Sequence, residues 1–124
     1  MNSKNTIVGF LILFSWSCGD SSLRNSQDKS EKRPTYDRKT IRKKINQLVE
    51  AKNFQQATHL LDSLILNNPK DGYLFYLKGN TEGVNTQYEA ALKDFKTAES
   101  LNYDKDKCER MIKATQIVID VQIK

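Results

Sequence analysis

The sequence contains little of what catalytic and disulfide-stabilised proteins are usually built from. Among its 124 residues there are one histidine, two cysteines and two prolines. The two cysteines, Cys18 and Cys108, lie far apart in the chain, which does not indicate a disulfide framework. A single histidine also leaves no metal-ligand cluster and no nucleophile paired with a base. We therefore expect no enzymatic activity, no cofactor and no metal site.

A hydrophobic run long enough to span a membrane is also missing. The most apolar stretch, residues 7–14, is about half as long as the roughly 20 residues that a stable transmembrane helix needs. It follows a short polar start that contains Lys4, and small residues come after it. That order is the layout of an export signal. We therefore predict that residues 1–17 are a signal peptide.

Cys18 stands directly after this apolar segment. The residues before it, Ser15, Trp16 and Ser17, together with Cys18 resemble the lipobox of bacterial lipoproteins. The resemblance implies that Cys18 is acylated and becomes the first residue of the mature protein. Ordinary signal cleavage and an uncleaved anchor are the alternatives. Lipidation would place the protein in the bacterial cell envelope, on the inner or outer membrane, facing the periplasm or the exterior, and would argue against nucleic acid as a partner.

A polar stretch follows the cysteine. Residues 18–37 are rich in serine, asparagine, glutamine and charged side chains, so ordering them would cost entropy that no burial offsets. We predict that they form a tether. The net charge of the chain is +5, and its basic residues are densest at residues 38–44. That run is either a solvated helix face or a contact for anionic lipid head groups or an acidic partner.

The rest of the chain contains an internal repeat with an offset of 34 residues. Residues 41–69 align with residues 75–103, and the alignment pairs aromatic, alanine and large apolar residues. Spacings of three and four place such residues on one face of a helix. The matched pairs are Lys44 with Lys78, Phe54 with Tyr88, Ala57 with Ala91, Leu61 with Phe95 and Leu64 with Ala98.

This pattern resembles the tetratricopeptide repeat family over about residues 38–103. The resemblance implies an all-α fold in which two helical hairpins, at about 38–69 and 72–103, and a capping helix stack as a short α-solenoid within a domain of residues 38–124. The predicted helices are 38–51, 54–67, 71–84, 88–101 and 105–122.

Individual positions within the repeat have predicted structural roles. Alanines 57 and 91 would let paired helices approach closely, and Gly79 would be a packing glycine. Three motif positions depart from the pattern of the family. Gly79 stands opposite Ile45, Glu82 opposite Leu48 and Tyr103 opposite Pro69.

The family resemblance also implies where a partner binds. In tetratricopeptide repeats the first helix of each hairpin lines a concave groove, so we expect a protein or peptide partner there. Tyr73 and Tyr76 are the first choice for a binding hot spot, unless one of them packs against the neighbouring hairpin. The predicted groove residues are Arg42, Asn46, Val49 and Glu50, then Tyr73, Tyr76, Asn80 and Val84, then Lys107, Arg110 and Ala114.

The last helix is more apolar than a simple cap requires, because it contains residues such as Ile117, Val118 and Val121. It either covers the open end of the solenoid or presents a surface to a partner or to a second copy of the chain. The expected function is a membrane-anchored scaffold or adaptor that binds proteins or peptides. A small immunity or inhibitor lipoprotein, and a non-catalytic accessory subunit of an envelope enzyme, are the alternatives.

Overall fold

The computed structural model describes residues 34–124, so the predicted signal peptide, Cys18 and most of the predicted tether lie outside the described residues. The described part contains five α-helices and no strand, which confirms the all-α prediction. Each predicted helix begins and ends within one residue of an observed one. The helices are α1 (Arg38–Glu50), α2 (Phe54–Asn67), α3 (Gly72–Val84), α4 (Tyr88–Ser100) and α5 (Lys105–Ile123).

These helices form a short solenoid of two hairpins with a fifth helix against its end. The first hairpin is α1 with α2, and the second is α3 with α4. Helix α3 occupies the centre, because it packs against α1, α2 and α4, whereas α5 packs mainly against α4. No described helix is long and apolar enough to cross a membrane.

The turn inside each hairpin repeats the same backbone conformation 34 residues apart. Lys52 and Thr86 both adopt left-handed backbone, with φ of 58° and 62°. After α1, Asn53 N–H donates to Leu48 O at 2.8 Å, and after α3, Gln87 N–H donates to the carbonyl of residue 82 at 2.9 Å. Both turns are therefore Schellman motifs, which satisfy the carbonyls that a helix end leaves free.

The first hairpin and α3 enclose one apolar cluster. Ala57 and Leu61 of α2 are fully buried there, as predicted, and Leu74 and Leu77 of α3 pack against them. Ile45 joins the same cluster at 2% exposure, so this departure from the repeat fills space between helices. Burying apolar side chains of this kind is the main source of stability in such a fold.

A second group of buried residues joins α3, α4 and α5. Ala91, Phe95 and Ala98 of α4 are buried against the neighbouring helices, and Cys108 of α5 is fully buried. The Cys108 thiol donates to Tyr103 O at 3.2 Å, and burial raises its pKa. The thiol therefore has a packing role.

The segment before α1 is tied to the turn between α2 and α3. Thr35 N–H donates to Asn68 Oδ1 at 3.2 Å, and Tyr36 Oη donates to Asp71 Oδ2 at 2.7 Å. Composition alone places both residues in the predicted tether, residues 18–37. Since their partners are 33 and 35 residues away in sequence, the folded unit begins at about Thr35.

Helix α5 has one buried face and one exposed apolar face. Cys108, Thr115 and Ile119 are buried against the preceding hairpin, in agreement with a covering role. Exposed apolar residues on the same helix are Ile117, Val118, Val121 and Ile123. A contact with a partner or a second copy through that face stays a prediction.

Candidate binding groove

A cleft of about 310 Å³ opens between α1, α3 and the start of α5. We call it the groove. It is lined by α1 and α3, the first helices of the two hairpins, as the repeat pattern predicts. Its lining residues are Arg42, Ile45, Asn46 and Val49 from α1, Tyr73, Tyr76, Leu77, Asn80, Thr81 and Val84 from α3, and Tyr103 and Lys107 near the start of α5.

The structure brings most of the predicted binding residues to this one cleft. Arg42, Asn46, Tyr73, Tyr76, Asn80 and Lys107 all line it. The groove lining does not include Glu50 at the end of α1, or Arg110 and Ala114 of α5, since Lys107 is the only residue of α5 that lines it.

Four lining residues are not among those predicted from the sequence: Ile45, Leu77, Thr81 and Tyr103. Tyr103 is the aromatic one. Its ring lies between two tyrosines of α3, with centroids 5.5 Å from Tyr73 and 5.1 Å from Tyr76. Both pairs are tilted, a geometry that aromatic rings favour. The available signal was the substitution itself, since Tyr103 stands where the first copy of the repeat has Pro69.

The two candidate hot-spot tyrosines differ in accessibility. Tyr73 is 8% exposed and belongs to the apolar cluster, so it is the one that packs against the neighbouring hairpin. Tyr76 is half-buried, and its ring also contacts Phe95 with a centroid separation of 5.7 Å. Tyr76 is therefore the ring that a bound segment would meet.

An ionic network holds Tyr73 in place at the edge of the groove. The Arg38 guanidinium lies 4.8 Å from the centre of the Tyr73 ring, within the range of a cation–π contact. The same guanidinium donates to Asp71 Oδ1 at 3.0 Å. Asp71 is also the N-cap of α3, where its side chain accepts from Tyr73 N–H at 3.1 Å. Tyr36 is the last member of this network. Burial, and then its hydrogen bond to Asp71, raise the pKa of Tyr36.

The two cations that line the groove, Lys107 and Arg42, differ in whether an acidic side chain of the domain already pairs with them. Lys107 Nζ lies 2.9 Å from Asp104 Oδ2, and this hydrogen bond raises the pKa of Lys107 and lowers that of Asp104. Arg42 is exposed and makes no salt bridge within residues 34–124. Arg42 is thus the groove cation best placed to meet an acidic group.

A polar cluster that includes two buried carboxyl groups joins α2, α3 and α4. Lys78 Nζ is 2.9 Å from Asp62 Oδ1 and 3.9 Å from Asp94 Oδ2. Burial lowers the pKa of Lys78, but the hydrogen bond to Asp62 and the charges of the carboxylates outweigh it and raise the pKa overall. We call Lys78, Asp62, Glu82 and Asp94 the Lys78 cluster.

Glu82 and Asp94 form a carboxyl pair inside this cluster. Burial, then the hydrogen bond and the charge of Asp94, raise the pKa of Glu82 to about 7. Burial also raises the pKa of Asp94. Glu82 Oε2 is buried and has no hydrogen-bond partner within residues 34–124, an environment that favours the neutral carboxyl. Neither carboxyl lines the groove, so the pair has a structural role in the packing of α3 against α4.

The groove has the chemistry of a binding site that recognises a partner through side-chain contacts. Among residues 34–124, no group of histidine, cysteine and acidic side chains is arranged to hold a metal ion. The groove lining offers three tyrosines, two asparagine amides and the guanidinium of Arg42. A larger depression of about 460 Å³ lies on α4, but all its lining residues come from that one helix, so it is an open surface strip.

Comparison of the chain with models of protein families, with characterised proteins and with solved structures finds no significant match.

Proposed function

We propose that this chain is a lipid-anchored lipoprotein of the bacterial cell envelope whose groove, of the tetratricopeptide type, binds a segment of another protein. The observation that supports binding most directly is the groove itself, which joins side chains from α1, α3 and the start of α5 in one cleft. Concave sites with a few convergent polar groups on a mainly apolar floor are the usual form of a binding site.

The chemistry of the lining favours an extended peptide segment. Asn46 and Asn80 occupy equivalent positions 34 residues apart, and each amide both donates and accepts hydrogen bonds, as a peptide backbone requires. The half-buried ring of Tyr76 offers contact area at little cost in side-chain entropy. Arg42 adds a preference for an acidic group in the bound segment.

Site-specific photocrosslinking in the cell tests the groove. A photoreactive amino acid at Asn46 should give a discrete adduct with one partner, and the added substitution Tyr76→Ala should abolish it. The matched control is the same amino acid at Gln56, an exposed polar position on α2. Adducts from both positions, or adducts at Asn46 that survive Tyr76→Ala, would contradict binding in the groove.

The intact mass of the mature protein tests the anchor separately. Expression of the full chain in a bacterium should yield a product that begins at Cys18 and carries the mass of acyl chains. Cys18→Ser should remove that mass. A product without acyl chains would disprove the lipoprotein assignment and leave the groove proposal unaffected.

A further inference from the structure

The positive charge of the folded domain is concentrated in the first two turns of α1. Five of the seven residues at 38–44 are basic and none is acidic. Residues 45–124 contain 10 basic and 11 acidic residues, so the rest of the domain is close to neutral. Such an uneven distribution of charge affects association with charged partners more than it affects the fold.

Most of these cations are free to act on something outside the domain. Lys39, Arg42, Lys43 and Lys44 are all exposed. Within residues 34–124 only Arg38 of this group makes a salt bridge, to Asp71. Arg42 lines the groove, whereas Lys39, Lys43 and Lys44 do not. We call these three lysines the basic face.

The arrangement is unfavourable for the helix that carries it. Asp37 is the N-cap of α1, but the first turn itself contains no acidic residue and holds Arg38 and Lys39, although the partial positive charge of a helix N-terminus disfavours cations there. Lys39 and Lys43 are also four residues apart, a spacing at which like charges repel. Positions where a sequence breaks a local rule in this way are often functional.

The basic face suits a diffuse anionic surface better than a specific pocket. Its members are lysines, which act as mobile point charges, and arginine is the residue that planar bidentate recognition favours. In the sequence, the basic face also begins only six residues after residue 33. Residues 1–33 contain the apolar run 7–14 and Cys18, which we predict to be an export signal and the site of a lipid anchor.

We propose that Lys39, Lys43 and Lys44 dock the domain on a bilayer that contains anionic lipid head groups. This goes beyond the proposed function, because an acyl anchor at Cys18 would hold the domain at neutral and anionic membranes alike. None of the three lysines lines the groove, so docking through them does not require its lining residues.

Vesicle co-sedimentation of the full chain carrying Cys18→Ser tests the proposal without an acyl anchor. Binding is compared between phosphatidylcholine vesicles and vesicles in which part of the lipid is phosphatidylglycerol. The ratio of the two partition coefficients isolates the effect of head-group charge, because an apolar segment contributes to both. We expect strong preference for the anionic vesicles at low salt and its loss at high salt.

Two matched variants assign the preference to the basic face. Lys39→Gln/Lys43→Gln should lower the ratio roughly 30-fold, since each lysine near an anionic surface contributes about fivefold. Lys93→Gln/Lys96→Gln makes the same charge change at exposed positions of α4 and should lower it less than about threefold. Circular dichroism verifies that both variants are folded.

Three results would overturn the proposal. One is a wild-type ratio near one, which would point to an acidic protein surface as the counterpart of the basic face. The second is an equal fall in both variants, which would indicate an effect of net charge alone. The third is an unchanged ratio in Lys39→Gln/Lys43→Gln. None of these results depends on crosslinking at Asn46 or on acylation, so failure of the proposed function is distinguished from failure of this inference.

Discussion

The ring of Phe95 in α4 lies against the backbone of α3 at Gly79. Phe95 Cε1 is 2.8 Å from the position that a β-carbon on Gly79 would occupy, a separation at which two carbon atoms overlap. Phe95 itself is 1% exposed, so its ring has no free space to move into. The close packing of α3 and α4 therefore requires glycine at this position.

Substitution of the two interior glycines of α3 should change stability in opposite directions. We expect Gly79→Ala to lower the free energy of unfolding by about 1–3 kcal/mol through overpacking. At Gly83 the nearest atom is Ala91 Cβ at 3.9 Å, so Gly83→Ala meets only ordinary contact. Since alanine favours helix over glycine, Gly83→Ala should raise stability by about 0.5–1 kcal/mol.

Urea denaturation of the two variants measures both changes. The pair is informative because both substitutions add one methyl group to the same helix. Stabilisation by Gly79→Ala would mean that α3 and α4 lie further apart in solution than the structure has them.

The repeat periodicity was sufficient to predict the helices and much of the core. Ala57, Leu61, Ala91 and Phe95 were selected for one helical face by their spacing, and all four are buried. A spacing of three and four residues fixes the inward face of a helix independently of its neighbours. Such positions are therefore predictable from sequence alone.

The contacts between helices were not predictable in the same way. Tyr103 lies in a turn, where no periodicity assigns it a direction, and only the fold shows that it contacts Tyr73 and Tyr76. Glu82 was visible as a departure from Leu48, but its partner Asp94 is identified only when α4 packs against α3. Pairings of this kind depend on tertiary packing.

The carboxyl pair of Glu82 and Asp94 should make stability depend on pH. The pKa of Glu82 is raised from 4.5 to about 7 in the folded state, so the folded protein binds more protons than the unfolded chain between those values. Stability is therefore highest at the acidic end of this range and falls as pH rises through about 7. Asp94 shifts in the same direction. We expect a loss on the order of 2 kcal/mol between pH 5 and pH 8.

Glu82→Gln isolates this effect. The glutamine amide still donates to Asp94 but does not ionise, so the variant should be more stable than wild type at pH 8 and have a flatter dependence on pH. Denaturation curves at several pH values measure this, with Glu89→Gln at an exposed position of α4 as the control. A wild-type slope that persists in Glu82→Gln would assign the pH dependence to other groups.

Asp71 should contribute more to stability than an ordinary N-cap. It caps α3 and also accepts from Tyr36 Oη and Arg38, whereas Asp104 caps α5 and interacts with Lys107 alone. Removing an N-cap costs about 1 kcal/mol, which is our expectation for Asp104→Ala. The additional hydrogen bonds should bring the cost of Asp71→Ala to about 2–3 kcal/mol.

A double-mutant cycle with Tyr36→Phe tests the network that joins the segment before α1 to the domain. Tyr36→Phe should cost about 1 kcal/mol in the wild type and close to nothing in Asp71→Ala, because its hydrogen-bond acceptor is already gone. Additive effects would show that Tyr36 is not bound to Asp71 in solution, and that the tether continues to the start of α1.

The turn between α3 and α4 should be stabilised by glycine. Thr86 adopts φ of 62°, where a β-branched side chain meets its own backbone, and a left-handed residue other than glycine costs about 1–2 kcal/mol. After the entropy that glycine gains in the unfolded chain is subtracted, Thr86→Gly should raise the free energy of unfolding by about 0.5–1 kcal/mol. Thr97→Gly, inside α4, should lower it by about 0.3 kcal/mol, because glycine has a lower helix propensity than threonine. Thermal and urea denaturation measure both variants. Destabilisation by Thr86→Gly would mean that this turn does not adopt the left-handed conformation that it shares with Lys52.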